Sequence, residues 1–414
     1  MHKIKMMLSA GVLLLATTAQ AQWFTMMEQS EEIVLTPVRH EQRIASRMAA
    51  RAEESEYGIE RAWSSGKNAL NKIGLEAGVD ITHAFQRVSP DGKQTAIQGI
   101  YYPYLTWNLF QDSAMGSGQL NVNYTLVRYW GRQAAELQSR AGLAVPFNDY
   151  PANQEIFSQF SFTHTLPGVM DWMSLTIGQF PLYNFDGTTY MDNQQTALMN
   201  YSLSQNASAA YPLASLGAYA QAKNEYFNAA FGYQDATNIT GKTIELDTAF
   251  DGKYTLFGSV GWTPNFSFGA GQYSVLYYHQ PAVAKQDEDI NGWSFNMQQN
   301  FGEKFVMFAR ANGSNNGATG VKNSYALGSA FLDPLGRNPN DAIISGMAYN
   351  KLSDKGMGYP SPMRPEELVT EIQWVWGIGK MLTITPDFQM SPRAALSGKN
   401  HATYTVSLRT TLML

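Results

Sequence analysis

Arg310, Glu371, Gln373, Asp387, Gln389 and Arg409 combine charge with alternation: each stands on the polar side of a segment whose other side is apolar. Ile372, Trp374 and Trp376 alternate with Glu371 and Gln373, and Tyr404, Val406, Leu408 and Leu412 alternate with Thr405, Ser407, Arg409 and Thr411. Guanidinium and carboxylate groups gathered on one wall do one of two things. They set a transverse field that orients polar solutes at a constriction, or they neutralise one another as a structural network. Glu76, Asp80, Asn108, Asn121, Asn123 and Asn228 fall at the same parity. Tyr102 and Tyr104 add ring faces, for stacking or for a membrane-interface belt. The long polar stretch 181–214 is rich in Asn, Gln, Ser and Tyr. Within it Asp186, Tyr190, Asp192, Asn193 and Gln194 are candidate constriction residues, or part of an exposed surface loop.

Bond-making chemistry has little support. The sequence contains no Cys, which removes disulfides, thiolate metal ligands and thiol catalysis together. No Gly-x-Ser-x-Gly elbow, P-loop or His-Glu-x-x-His is present. The six His are scattered, and neither His83 nor His164 has a nucleophile at a telling spacing. Asp287-x-Asp289-x-Asn291-Gly292 begins like a calcium loop, but its twelfth position is Gln298. No enzyme activity, cofactor or resident metal is expected. A net charge of −5 disfavours nucleic acid as a partner.

The elements that position the polar residues are strands. Charged residues make up 15% of the chain, against roughly 25% in soluble domains, while aromatics reach 13%. No apolar run approaches the ~18 residues of a transmembrane helix. From about residue 73 onward, period-two alternation recurs in sixteen segments, most of the ~9–11 residues that a tilted membrane strand needs. The links alternate in length. Those near 111–117, 165–171, 223–225, 263–269, 301–303 and 378–379 are short, whereas 131–154, 181–214, 235–252, 352–365 and 390–401 are long. Tight turns at one end and long loops at the other are the mark of a transmembrane barrel, with the apolar face toward lipid and the polar face toward the lumen. The fold class is therefore all-β: a transmembrane antiparallel β-barrel of sixteen strands over 67–414, both termini periplasmic, preceded by a short charged helical segment. Trp107, Trp130, Trp172, Trp262, Trp374 and Trp376 fall near strand ends, where an interfacial girdle belongs.

Ahead of the barrel, Lys3 and Lys5, an apolar stretch from Leu8 to Ala16 and Ala19-Gln20-Ala21 read as a signal peptide over 1–21. Residues 22–66 carry 13 charged side chains, twice the density of residues 67–414, and read as helix from about Val38 to Trp63. Arg39, Arg43, Arg47 and Arg51 share one face of that helix. Like charges at this spacing cost a few tenths of a kcal/mol per pair, roughly. The stripe suits solvent or an acidic partner such as peptidoglycan. Residues 22–66 are expected to be periplasmic or plug-like.

The second half of the chain resembles the OprB-type carbohydrate-selective porins. The resemblance lies in Ile177-Gly178-Gln179-Phe180, Ala210-Tyr211-Pro212-Leu213, Phe308-Ala309-Arg310-Ala311-Asn312-Gly313, Leu335-Gly336-Arg337-Asn338-Pro339-Asn340-Asp341, Glu371 and Thr385-Pro386-Asp387-Phe388-Gln389, in that order over about 170–414. Where the family carries Trp-Gly-Gly before the first strand, this chain has Trp63-Ser64-Ser65-Gly66. The resemblance implies a sixteen-stranded barrel of a Gram-negative outer membrane that passes sugars and similar small polar solutes by diffusion. It also implies a loop near 181–214 that folds inward. The expected partners are small solutes, outer-membrane lipid, lipopolysaccharide and a second copy of the chain. The alternatives are an exporter of an anionic exopolysaccharide, which requires a strongly basic lumen, a barrel enzyme, and a non-conducting adhesin or structural barrel.

Overall fold

The computed structural model describes residues 58–89, 94–284, 286–315, 320–353 and 364–414. The signal segment, the Arg39–Arg51 stripe and most of the expected helix lie outside them.

A helix, α1 (Gly58–Asn71), leads into the sheet. It runs past the expected end at Trp63, because Lys67, Ala69 and Leu70 are good helix formers and one glycine costs only about 1 kcal/mol. Gly74 ends the approach at φ +75°. A Cβ there would lie 2.6 Å from the Asn108 carbonyl, and Gly74 itself accepts the Asn108 N–H at 2.7 Å, so the entry to the sheet demands glycine.

Sixteen strands follow among the described residues. They are β1 (Leu75–Ser89), β2 (Gln94–Asp112), β3 (Gly116–Tyr129), β4 (Gln154–Thr165), β5 (Met173–Phe180), β6 (Ser215–Lys223), β7 (Phe227–Asp235) and β8 (Tyr254–Trp262), then β9 (Gly269–Gln280), β10 (Ile290–Phe301), β11 (Phe305–Ser314), β12 (Val321–Leu332), β13 (Ala342–Leu352), β14 (Glu366–Ile378), β15 (Leu382–Ser391) and β16 (Thr403–Met413). A two-residue strand, Asn265–Phe266, adds to the edge of β9. Each strand pairs antiparallel with the next, and β1 pairs with both β2 and β16, so the sheet closes on itself. Closure leaves no free edge. In register, Asp80 stands opposite Met413 and Ser89 opposite Tyr404.

The long links lie at one end. The seven that join β2–β3, β4–β5 and so on to β14–β15 span three to nine residues, and the other end carries the long connections 130–153, 181–214 and 236–253 beside shorter ones such as that between β1 and β2. The start of β1 and the end of β16 lie at the turn end, with Leu414 exchanging both backbone hydrogen bonds with Val79 at 3.0 Å.

The molecule is apolar outside and polar within. Ile177, Phe231, Val260, Val275, Leu327, Ile372 and Val406 are exposed, whereas their polar neighbours Thr176, Ser259, Asn296, Gln373 and Ser407 are buried. Aromatic belts edge the apolar band. At the turn end Phe227, Trp262, Phe266, Phe268, Phe301 and Phe305 form an unbroken run of ring contacts between 5.1 and 6.3 Å. At the loop end Trp130, Tyr233, Tyr277, Trp293, Tyr325 and Tyr404 are exposed. This is how a barrel meets a bilayer. Tyr102 and Tyr104 belong to neither belt, because their parity turns them inward.

Candidate functional site: the constriction inside the barrel

Two loops fill much of the bore. Connection 181–214, expected to fold inward on resemblance alone, does so: Tyr190, Met191, Leu198 and Leu203 are at most 2% exposed. They pack on inward residues of β11–β14, namely Val306, Phe308, Ala326, Ala330, Ala342, Ile344, Ala348 and Val375. Tyr190 stacks on Phe308 at 5.4 Å. The inward face here is apolar, which strand parity did not anticipate. Phe305-Val306-Met307-Phe308 is apolar on both faces because one meets lipid and the other a loop. Connection 130–153, read from sequence only as a long loop, is a second insertion. It forms α2 (Ala134–Ala141), capped by Gln133 and Glu136, and buries Leu137, Val145 and Phe147. The apolar Leu143, Val145 and Phe147 inside a loop were the signal for it.

The inward charges hold these insertions. Glu371 accepts the N–H groups of Met199 and Asn200 at 2.5 and 2.9 Å. Glu367 accepts those of Ala144, Val145 and Ala395 at 2.8–3.0 Å. Arg409 donates to the carbonyls of Gln194 and Ala197, and Arg310 to those of Asp186 and Met191 as well as to Asn296 Oδ1 at 2.6 Å. Gln373 donates to Ala197 O at 3.1 Å, and Gln389 to Phe147 O at 3.0 Å. Asp387, next to Gln389 on β15, is 4% exposed. Ionised groups make the stronger hydrogen bonds, so backbone of a loop is fastened by the wall at many points. Asp186 accepts Asn296 and Asn206 amides at 2.9 and 2.8 Å and the Tyr211 hydroxyl at 3.1 Å, which fixes the start of the loop.

The other candidates line the opposite side. Asn121 and Asn123 are 2% and 5% exposed and join a ladder of side chains: Thr106 Oγ1 to Asn121 Oδ1, Asn121 Nδ2 to Gln119 Oε1, Asn123 Nδ2 to Gln159 Oε1, all 3.1–3.2 Å. Tyr102 is half-buried and Asn228 remains partly exposed. The Tyr104 hydroxyl accepts Lys67 Nζ of α1 at 3.2 Å, beside Asp80. Glu76 and Asn108 are exposed toward the turn end.

The insertions also grip each other. Asp149 donates its N–H to Gln194 Oε1 at 2.8 Å and accepts the Gln194 N–H at 2.7 Å, while Ser204 Oγ donates to its carboxylate. Burial pushes the Asp149 carboxyl up to about 7, against hydrogen bonds from Ser204 and Gln194 that pull the other way. Burial likewise raises the Tyr150 hydroxyl, and nearby Tyr183, Asp149, Tyr102 and Asp192 add to that rise. The sign for Asp149 follows from linkage: between 3.8 and about 7 the docked state holds a proton that an open state releases. Docking is therefore strongest below about 4, weakens as pH rises toward 7, and levels off above it. Protease cutting within 181–214 should increase from pH 5 to pH 8, and Asp149→Asn should flatten that dependence.

Residues 108–414 match the family described as carbohydrate-selective porin, OprB family. Porin AaxA of Chlamydia abortus is 34% identical over 375 residues, spanning 88% of this chain and 81% of that protein. Porin AaxA of Chlamydia pneumoniae is 36% identical over 318 residues, 77% of this chain and 72% of that protein. Among solved structures, the high-pH structure of Pseudomonas putida OprB superposes with a TM-score of 0.71 at 13% identity, covering 85% of this chain and 97% of that one. At that identity the likeness speaks for the fold.

Proposed function

Because this chain belongs to the OprB family of carbohydrate-selective porins, we propose that its barrel passes neutral sugars and similar small polar solutes across the outer membrane by diffusion, through the gap left by the two in-folded loops. The observation that carries this reading is the inverted architecture: an apolar, aromatic-belted exterior around a bore whose inward side chains are largely polar and which in-folded loops narrow. Amides and hydroxyls on the side of the bore opposite the loop anchors exchange hydrogen bonds with sugar hydroxyls much as water does, so passage needs no tight binding.

In this reading the short turns and both strand termini face the periplasm and the long loops face outward. Residues 1–21 serve export. The Arg39, Arg43, Arg47 and Arg51 stripe lies on the periplasmic side, within reach of peptidoglycan. Lipopolysaccharide surrounds the loop end, and copies of the chain associate through their lipid-facing walls.

The exopolysaccharide-export alternative is disfavoured by charge. Among the described residues, Asp80, Asp149, Asp186, Glu367, Glu371 and Asp387 are buried in the interior against two buried guanidiniums, Arg310 and Arg409. Although these carboxylates lie beneath the loops, their excess still biases the potential along the bore toward cations. In planar bilayers the purified protein should insert as discrete conductance steps. A potassium chloride gradient should give a reversal potential displaced toward potassium. Failure to insert conducting units sinks the channel reading, and displacement toward chloride contradicts the charge assignment.

A further inference from the structure

The two walls of the bore are not equivalent. On β11–β16 the inward side chains lie beneath the loops: Ser324, Ala330, Asn350 and Thr385 are all 0% exposed, and Gln373 and Arg409 are 1%. This sealing extends to the turn end, where Phe308 is 0%, Ile344 1% and Ala342 4% exposed. On β3–β9, by contrast, a subset of the inward residues of the turn-side half stays partly exposed, Gln119, Thr163, Gln221, Lys223, Asn228, Gln272 and Ser274, between buried neighbours such as Asn121, Ser161, Thr176 and Ser259. All but Lys223 are amides and hydroxyls. Gln119 is held by Asn108 at 2.9 Å, and Thr163 and Thr176 share a hydroxyl bond of 2.9 Å. Gly261 opens the space beside Asn228, since a Cβ there would meet the Asn228 amide at 2.6 Å. Arg310, Glu371, Asp387 and Arg409 are thus on the covered wall, and the partly exposed inward wall of β3–β9 carries one charge among the described residues, Lys223, opposite Asn228 and set among uncharged side chains.

We propose that solutes cross along the amide-and-hydroxyl wall of β3–β9, touching Thr163, Gln221 and Asn228, and that the wall bearing Arg310, Glu371, Asp387 and Arg409 fastens the loop and meets no solute. This rests on the diffusion-channel reading and deepens it: selectivity belongs to uncharged hydrogen-bonding side chains, which suit polyhydroxylated solutes, and not to a charged ring. A sugar hydroxyl replaces water on an amide at small net cost, because one hydrogen bond is exchanged for another.

The absence of Cys makes the test direct. Single substitutions Thr163→Cys, Gln221→Cys and Asn228→Cys probe the open wall, and Ser324→Cys and Ala330→Cys the covered one. Each full-length protein is placed in liposomes, checked for a folded barrel by heat-shifted gel mobility, and treated with a bulky methanethiosulfonate. Labelling is read by mass and monosaccharide entry by swelling. The expected result is complete labelling at the three open-wall positions with severalfold slower entry, and neither labelling nor slowing at Ser324→Cys and Ala330→Cys. Labelling of the covered wall in a folded barrel, or none on the open wall, overturns the proposal. If the unsubstituted protein admits no sugar, the diffusion reading fails separately, while the labelling pattern still decides which wall meets water.

Discussion

Glu371→Ala should widen the channel. The Glu371 carboxylate receives two consecutive backbone N–H groups, from Met199 and Asn200, at the point where the 181–214 loop begins its single helical turn, Tyr201–Ser204. Hydrogen bonds to a charged group contribute about 1.5–3 kcal/mol each, and two buried N–H groups would be left without this acceptor. Gln373 and Arg409 still hold Ala197 O, so the segment loosens around Met199 while the barrel stays closed. The expected outcome is severalfold larger single-channel conductance with frequent current fluctuations, and entry of solutes that the unsubstituted channel excludes by size. Glu371→Gln keeps one acceptor oxygen and should fall between the two. Unchanged conductance in Glu371→Ala would mean that the loop does not set the width.

Arg409→Met should be the most disruptive single substitution on the covered wall. Arg409 is 1% exposed and donates to the carbonyls of Gln194 and Ala197, while its charge faces Glu371 and Asp387. Removing one partner of a buried charged set costs roughly 3–5 kcal/mol, because the remaining carboxylates stay buried without compensation. The loss should appear as a lowered temperature of barrel unfolding on gels and as rapid proteolysis within 181–214. Arg409→Met combined with Asp387→Asn should recover part of the loss, because the second change removes a charge that the first left uncompensated. Simple additivity of the two losses would refute the charge coupling. Arg310→Met should act similarly but more locally, since its partners are Asn296 Oδ1 and the carbonyls of Asp186 and Met191.

The barrel was legible because its rule is local. Alternation at Leu120, Val122, Tyr124 and Leu126 specifies a strand and its two faces without knowledge of the partner strand. The parity of link lengths then gives closure and the two ends. Family resemblance supplied the inward loop, but the means of holding it was hidden. Glu371 and Met199 are 172 positions apart, and the acceptor's partner is backbone, which has no sequence signature. Arg310, Glu371, Gln373 and Arg409 therefore looked like lumen chemistry, whereas their polar atoms engage loop backbone. The insertion 130–153 escaped for a related reason: Leu143, Val145 and Phe147 form too short an apolar run to outweigh a loop reading, and their burial rests on distant partners, the Glu367 and Gln389 anchors and the inward Val88, Ile100 and Val127. The inward Phe308 and Ile344 were masked because a strand that buries apolar groups on both faces breaks the very alternation used to assign faces.

Diffusion of sugars through the barrel is tested most directly by solute entry into liposomes carrying the purified full-length protein, compared with protein-free liposomes and with protein lacking residues 22–66. Neutral mono- and disaccharides are set against size-matched anions and cations. Sugar entry should run well above the protein-free rate in both forms, with monosaccharides faster than disaccharides and cations faster than anions. No sugar entry in either form, with the barrel demonstrably folded, would contradict a diffusion channel.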